Sequence, residues 1–335
     1  MTKLIIQIPC YNEQGTIANT LADIPRVIDG VDELEILLID DGSTDDTARV
    51  GLENGATYVI QHPTNRGLAR AFVTGVQTAL ALGADIVVNT DADNQYPGHY
   101  IPSLIAPILA QQADIVIADR QVDKNTNFSP LKRVLELLGS WFMRVVSGTD
   151  APDAPSGFRA YSRYAALHLQ VFNRYSYTLE TLIQAGKERL RLEHLPIVTN
   201  PTPRPSRLHK GILNFIWRQS GTIIRSYVLY QPLKTFLLAS IPFLLSSLIL
   251  IGRFLYFYIT NQSGVGRYIQ SVSIGGTLGI FGLMLVTMGL LGDAIATNRQ
   301  MMEEVVVKQR DEFRVTPDAK AINGCRLLRR EKDHN

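Results

Sequence analysis

Cysteine is almost absent from this chain of 335 residues. Its two cysteines, Cys10 and Cys325, lie near opposite ends. That spacing offers neither a zinc motif nor a disulfide framework, and it suits a reduced compartment. A surplus of charge is missing as well: 33 lysines and arginines face 31 aspartates and glutamates, a net of +2. Nothing therefore draws the protein as a whole to nucleic acid, and no nucleic-acid partner is expected. No secretory leader is expected either, because the first apolar run, Leu4 to Ile8, is too short and passes directly into Pro9-Cys10-Tyr11-Asn12-Glu13. The first domain is expected to stay in the cytosol.

What the chain does have is long apolar runs near its end. Thr235 to Gly252 is 18 residues without a charge, and Phe254 to Ile259 extends it past Arg253; Tyr268 to Gly292 adds 25 more. As helices these span roughly 27 Å and 37 Å, against a hydrocarbon core of about 30 Å. Acidic residues are absent from Arg204 to Lys234, which carries Arg204, Arg207, Lys210, Arg218, Arg225 and Lys234. Arg299, Lys308 and Arg310 follow the second run, whereas the connection near Asn261 to Arg267 has only Arg267. By the positive-inside rule both ends are cytosolic and the runs form a transmembrane hairpin. Arg253 reads as an interfacial anchor. Ser271, Gly275 and Gly279 recur every fourth residue, which permits close helix packing or a homo-oligomer.

The first 200 residues alternate. Leu4 to Pro9, Ile36 to Asp40, Tyr58 to Gln61, Ile86 to Thr90 and Ile115 to Ala118 read as strands, with helical stretches such as Gln14 to Ile28 and Leu68 to Leu82 between them. The pattern predicts an α/β domain, a mainly parallel sheet with helices on both faces. Ligands of such sheets bind beyond the carboxyl ends of the strands, and this chain puts polar residues there. Asn12 is placed to cap the first helix, and Ser43 or Thr44 the second. Gly42 permits a tight turn. A charged Asp40 ending an apolar strand is harder to explain by a turn alone and could accept hydrogen bonds from a nucleobase or ribose. Asp91-Ala92-Asp93 ends the fourth strand. In isolation it is a surface turn as readily as a site, but two carboxylates at that spacing can meet one hard divalent cation and a diphosphate.

In combination, IPCYNE at 8–13, DDGSTD at 40–45, NRGLARA at 65–71, DADNQ at 91–95 and SGFRAY at 156–161 resemble the inverting family 2 glycosyltransferases of GT-A fold. With the terminal spans they are similar to the polyprenyl-phosphate glycosyltransferase group. The resemblance implies nucleotide-sugar contacts from Pro9, Tyr11, Asn12, Glu13, Asp40, Asp41, Gly42, Asp91, Ala92 and Arg120. It implies Mg2+ or Mn2+ held by Asp91, Asp93 and Gln95, with Asp93 and Gln95 foremost. Arg120 would sit near the phosphates, unless it is a rim arginine paired with Asp119. The Gln-x-x-Arg-Trp element of processive synthases is missing, since Trp217-Arg218-Gln219 has the wrong order.

A lipid phosphate monoester, with a second pKa near ~6, is already anionic at neutral pH. The protein's tasks are then positioning and charge neutralisation. Arg204, Arg207 and Lys210, in or just after a proline-rich loop, are expected to hold the acceptor phosphate, and Asp93, Asp153, Arg204 and Arg207 form the catalytic set. Asp153 is a base or a positioning residue, with positioning favoured. Ile212 to Tyr230 reads as an amphipathic interfacial helix, and Leu131 to Val146 either lies on the membrane or packs in the core.

The expected organisation is a cytosolic GT-A domain at 1–203, a basic loop and juxtamembrane helix at 204–232, two transmembrane helices within 233–292 (233–259 and 268–292) and a cytosolic tail at 293–335. The expected activity is inverting transfer of a hexose, glucose from UDP-glucose, to undecaprenyl phosphate at the cytosolic face of the cytoplasmic (inner) membrane. GDP-mannose or a UDP-linked amino sugar as donor, or a catalytically silent membrane scaffold, are the alternatives.

Overall fold

The computed structural model describes residues 1–121, 139–140, 143–144, 147–169, 171, 177–201, 231–260, 269–313, 321–322 and 324–330. Arg204, Arg207 and Lys210, the expected helix 212–230, and most of 131–146 lie outside the described residues. The chain divides into two compact units, Met1–Asn214 with Val306–Asn335, and Phe215–Val305.

In the first unit, β1 (Lys3–Cys10), β2 (Glu33–Asp40), β3 (Tyr58–Gln61) and β4 (Ile86–Asn89) form a parallel core alternating with helices α1 (Ile17–Asp23), α2 (Thr47–Glu53) and α3 (Leu68–Ala81). A single turn of 3-10 helix and α4 (Ile101–Leu109) lead into β5 (Ile115–Asp119). Then come β6 (Arg159–Ser162), α5 (Arg163–His168), α6 (Tyr177–Lys187) and β7 (Leu192–Pro196). The nine-stranded sheet has the order β7-β5-β6-β4-β1-β2-β3-β9-β8, its last two strands being β8 (Ala321–Ile322) and β9 (Cys325–Arg329). β6 runs antiparallel between β4 and β5.

Strand parity explains why the apolar runs are continuous. Leu4, Ile6, Ile8, Ile36, Leu38, Val59 and Val88 face a core shared with Ile17 and Leu21 of α1 and Leu104, Ile105 and Ile108 of α4. The opposite face meets α3, whose Gly75 lies so close that a methyl group there would stand 2.8 Å from Ile39 and run into the Gln7 amide oxygen. Both faces are covered, so both parities are apolar.

Three sequence expectations need correction. α1 covers Ile17–Asp23 and not Gln14 to Ile28, because Pro25 forces Ile24 into an extended conformation and ends the helix. Asn12 does not cap α1: it adopts a left-handed φ of 54° and turns towards the loop after β2. Neither Ser43 nor Thr44 caps α2, whose N-cap is Asp46.

The terminal segment differs too. α8 (Ile269–Glu312) continues well past Gly292, since no glycine or proline interrupts 293–312. Its last turn belongs to the first unit, where Arg310 donates to the carbonyls of Leu167 and Leu169 at the end of α5, and Arg163 donates to Asp311 at 2.6 Å. The residues expected as a tail then supply β8 and β9, with β9 antiparallel to β3.

In the second unit, α7 (Pro232–Ile259) and the membrane part of α8 are long and apolar enough to cross a membrane, with most of their apolar residues exposed. The glycines of α8 serve this hairpin. A methyl group on Gly279 would meet Ser247 at 2.7 Å, one on Gly282 would meet Leu244 at 2.7 Å, and Gly275 lies against Leu250 and Ile251. Close backbone approach replaces the hydrophobic drive that lipid cannot supply.

Candidate active site

The carboxyl ends of β1, β2 and β4, with the residue following β5, make one rim. At the β1–β2 end two loops are laced together. Asn12 donates its amide N–H to Ser43 Oγ at 2.9 Å, and its Oδ1 accepts from the Thr44 amide at 2.8 Å. Glu13 donates its amide N–H to Thr47 Oγ1 at 2.8 Å. Asp40 is buried, accepting from the Ser43 amide at 2.8 Å and from Gln61 Nε2 at 3.1 Å. Asp41 is buried beside it, and its carboxylate receives the backbone amides of Arg66 and Gly67 at 2.9 and 2.8 Å and stands 2.6 Å from His62 Nδ1. His62 in turn contacts Thr74.

Gly42 has a φ of 75°, and a methyl group there would lie 2.6 Å from the backbone of Thr64. It thus fixes the loop over 64–65 as well as the turn. Pro9 is buried within β1 opposite Ile39, whereas Tyr11 stands exposed just beyond it.

The β4–β5 end is built differently. Asp91, Asp93 and Gln95 are partly buried and Ala92 is buried. Asp93 accepts from the Gln95 amide at 3.1 Å, and Asn94, at a left-handed φ of 56°, turns the loop. Asn200 secures that turn by donating to the Asn94 carbonyl. Among the described residues nothing donates a hydrogen bond to the Asp91 carboxylate. Desolvation, then the charge of Asp93 and that of Glu13, push its pKa up to about 7, against the pull of Arg120. The fold therefore brings Asp91, Asp93, Glu13 and Arg120 within electrostatic reach of one another.

Arg120 is buried and held by Asp153, with Nε at 2.7 Å from one carboxylate oxygen and Nη2 at 2.8 Å from the other. The same carboxylate accepts the Arg120 backbone amide at 3.1 Å. Asp153 is fully buried in this pair, and both of its carboxylate oxygens are engaged by Arg120. The carboxylate that grips Arg120 is thus Asp153, while Asp119 accepts the Gln121 amide at 2.9 Å.

Several residues of the site escaped the sequence reading. Gln7 Nε2 donates to Asn89 Oδ1 at 2.9 Å, and Asn89 Nδ2 donates to the Gly157 carbonyl at 2.8 Å and to the Tyr177 hydroxyl at 3.0 Å. A methyl group on Gly157 would stand 2.8 Å from that hydroxyl and 3.4 Å from the Asp91 carboxylate, so this buried polar ladder ends beneath Asp91. Its signal was available as polar residues inside the apolar runs at 7 and 89. Fully buried Arg159 ties the loop before it to α6, donating to the carbonyls of Ala154, Ser156 and Thr178.

The site suits a hard cation. Asp91 and Asp93 offer oxygen ligands, and the charge repulsion at Asp91 is what a cation would relieve. Among the described residues no group of three or more His, Cys, Asp or Glu converges, so the rest of any coordination shell would come from ligand oxygens and water.

Residues 5–169 match the family model for glycosyl transferase family 2. The UDP-N-acetylglucosamine–dolichyl-phosphate N-acetylglucosaminyltransferase of Methanococcus voltae is 32% identical over 213 residues, covering 57% of this chain and 83% of that protein. The chain belongs to glycosyl transferase family 2. Undecaprenyl-phosphate mannosyltransferase of Micrococcus luteus is 27% identical, over 58% of this chain and 82% of that protein. Glucosyl-3-phosphoglycerate synthase of Mycobacterium tuberculosis, 24% identical, superposes with a TM-score of 0.51 over 68% of this chain and 79% of its own. That likeness marks the fold as GT-A. The family assignment makes the protein an enzyme, a glycosyltransferase.

Proposed function

We propose that this membrane glycosyltransferase moves one hexose, glucose from UDP-glucose, to a polyprenyl phosphate, undecaprenyl phosphate, with inversion at the anomeric carbon. Both termini and the catalytic unit face the cytosol, at the inner membrane. The observation that carries the reading is the conjunction, in one chain, of the Asp91–Asp93–Arg120 rim with two exposed apolar helices of membrane-spanning length. The relatives from M. voltae and M. luteus, named for transfer to dolichyl and undecaprenyl phosphate, support the acceptor class.

Tyr11, Glu13 and Asp40 would receive the nucleoside. Asp93, Gln95 and Asp91 would hold Mg2+ or Mn2+; the M. tuberculosis synthase of the same fold was solved with Mn2+ and UDP. When bound, the ion supplies charge neutralisation to the departing nucleoside diphosphate. Asp153 fixes the guanidinium of Arg120 so that its charge is aimed at the diphosphate without reorganisation. Asp41 and Gly42 act beneath the nucleoside by holding the loop at 64–67. The acceptor phosphate, already ionised, needs no strong base. Arg204, Arg207 and Lys210 would bring it to the opposite face of the sugar.

The relatives differ in the sugar they are named for, so the deciding experiment is a donor panel. Purified full-length protein with Mn2+ and undecaprenyl phosphate is offered labelled UDP-glucose, GDP-mannose and UDP-N-acetylglucosamine, and the organic phase is assayed for lipid-linked sugar. UDP-glucose is expected to give product. Product from another donor corrects the sugar, and no product from any donor overturns the reading in favour of a silent scaffold.

A further inference from the structure

We infer that Arg326, delivered by the strand that follows the membrane hairpin, is a donor-binding residue at the nucleoside end of the rim. The inference rests on the reading of the rim as a nucleotide-sugar site. Register carries it: Cys10 pairs with Asp40, Asp40 with Gln61, and Gln61 with Arg326. Directly paired residues project to the same face of a sheet. The four side chains therefore form one row at the carboxyl ends of β1, β2 and β3. Val59 and Leu328, the pair two residues away, both face the core that contains Ile6 and Leu38, which confirms the parity.

Within the row, Gln61 already donates to Asp40. Arg326 is exposed, and its guanidinium has no hydrogen bond or ion pair among the described residues. Its neighbours on β9 are spent on packing: Cys325 is buried, and Leu327 and Leu328 are half-buried. Arginine offers only donors, while Asp40 and Glu13 at the same end offer acceptors, and a base with its ribose presents both kinds of group.

Position selects the nucleoside over the phosphates. With strands about 4.8 Å apart, Arg326 lies roughly 10 Å from the Asp40 position and roughly 19 Å from that of Asp91 at the end of β4. A long side chain can meet a ligand bound beside Asp40 and Gln61, but not one held at Asp91. β9 would then complete the donor site as well as the sheet.

The test uses full-length protein with undecaprenyl phosphate. Arg326→Ala is expected to raise KM for the nucleotide sugar about tenfold, the loss of one charge-assisted hydrogen bond, with kcat and the lipid KM unchanged. Arg326→Lys should recover part of the loss. Arg329→Ala, on the same strand but stacked 5.4 Å over the Tyr58 ring at its other end, should leave donor KM unaltered. Calorimetric titration with UDP and with GDP, in the absence of lipid, should show the same weakening in Arg326→Ala for whichever nucleotide binds. Unchanged nucleotide affinity in Arg326→Ala, or equal losses in Arg326→Ala and Arg329→Ala, overturns the inference and leaves Arg326 as a charge that protects a sheet edge. Because the titration needs no sugar transfer, it decides Arg326 even if no lipid-linked product forms.

Discussion

The two ends of the rim handle carboxylates in opposite ways. At the β2 end Asp40 and Asp41 are buried and supplied with donors, from Ser43, Gln61, Arg66, Gly67 and His62. At the β4 end Asp91 has no such donor among the described residues and stands against Asp93. A satisfied buried carboxylate organises loops, whereas one left short of partners in a desolvated site stores a demand for positive charge. The first end reads as a preformed mould. The second, on the proposed function, is completed by a cation and a diphosphate.

The sharpest way to break this comparison is to remove the incomplete end. Asp93→Ala should cut lipid-linked product by on the order of a thousandfold, with thermal stability nearly unchanged, and excess Mn2+ should not restore it. Unchanged turnover would remove Asp93 from the metal site. Next comes the ion pair that aims Arg120. Asp153→Asn leaves a buried guanidinium without its counter-charge, which costs about 3 kcal/mol of stability and roughly a hundredfold in kcat. If raising the pH recovered that rate, Asp153 would be acting as a base after all.

The fold's parallel core was readable because strands covered on both faces are continuous apolar runs, and β1 to β5 all fall within a few residues of those runs. β6 and β9 were not readable. Each is short and carries arginines, Arg159 and Arg326, that fit a strand only once their neighbours are known. At the site, the carboxylates announced themselves by ending apolar strands. Their division of labour did not, because whether Asp41 meets a ligand or the amides of Arg66 and Gly67 depends on a loop 25 residues away in the chain. Asn12 shows the same limit from the other side: cap chemistry was right for its residue type, but Thr44 across the sheet edge took its side chain.

That division can be tested at the satisfied end. Asp41→Asn should lower stability by about 2 to 3 kcal/mol, the result of removing charge from a carboxylate that receives two backbone amides and a histidine. Donor KM measured below the melting temperature should move less than about threefold. A large KM change with intact stability would make Asp41 a ligand contact instead of a brace, and the two ends would differ less than their hydrogen bonds suggest.

The smallest effect is the most diagnostic, because it inverts the usual cost of losing an active-site residue. Asp91 has its pKa raised from 3.8 to about 7, so the folded state holds a proton that the unfolded state has already released between those values. The protein therefore loses stability as pH climbs from about 4 to about 7, and the whole cost is present above 7. Asp91→Asn removes it. In the absence of divalent cation, the full shift corresponds to roughly 4 kcal/mol; because Asp91 is only partly buried, melting at pH 8 should show the variant more stable by on the order of 2 kcal/mol of this, with the advantage shrinking towards pH 4. Addition of Mn2+ with UDP should stabilise the wild type more than the variant, because Asp93 and Gln95 remain in both but only the wild type also relieves the Asp91 charge. An advantage that did not change with pH would mean that Asp91, like Asp41, is already satisfied where it stands.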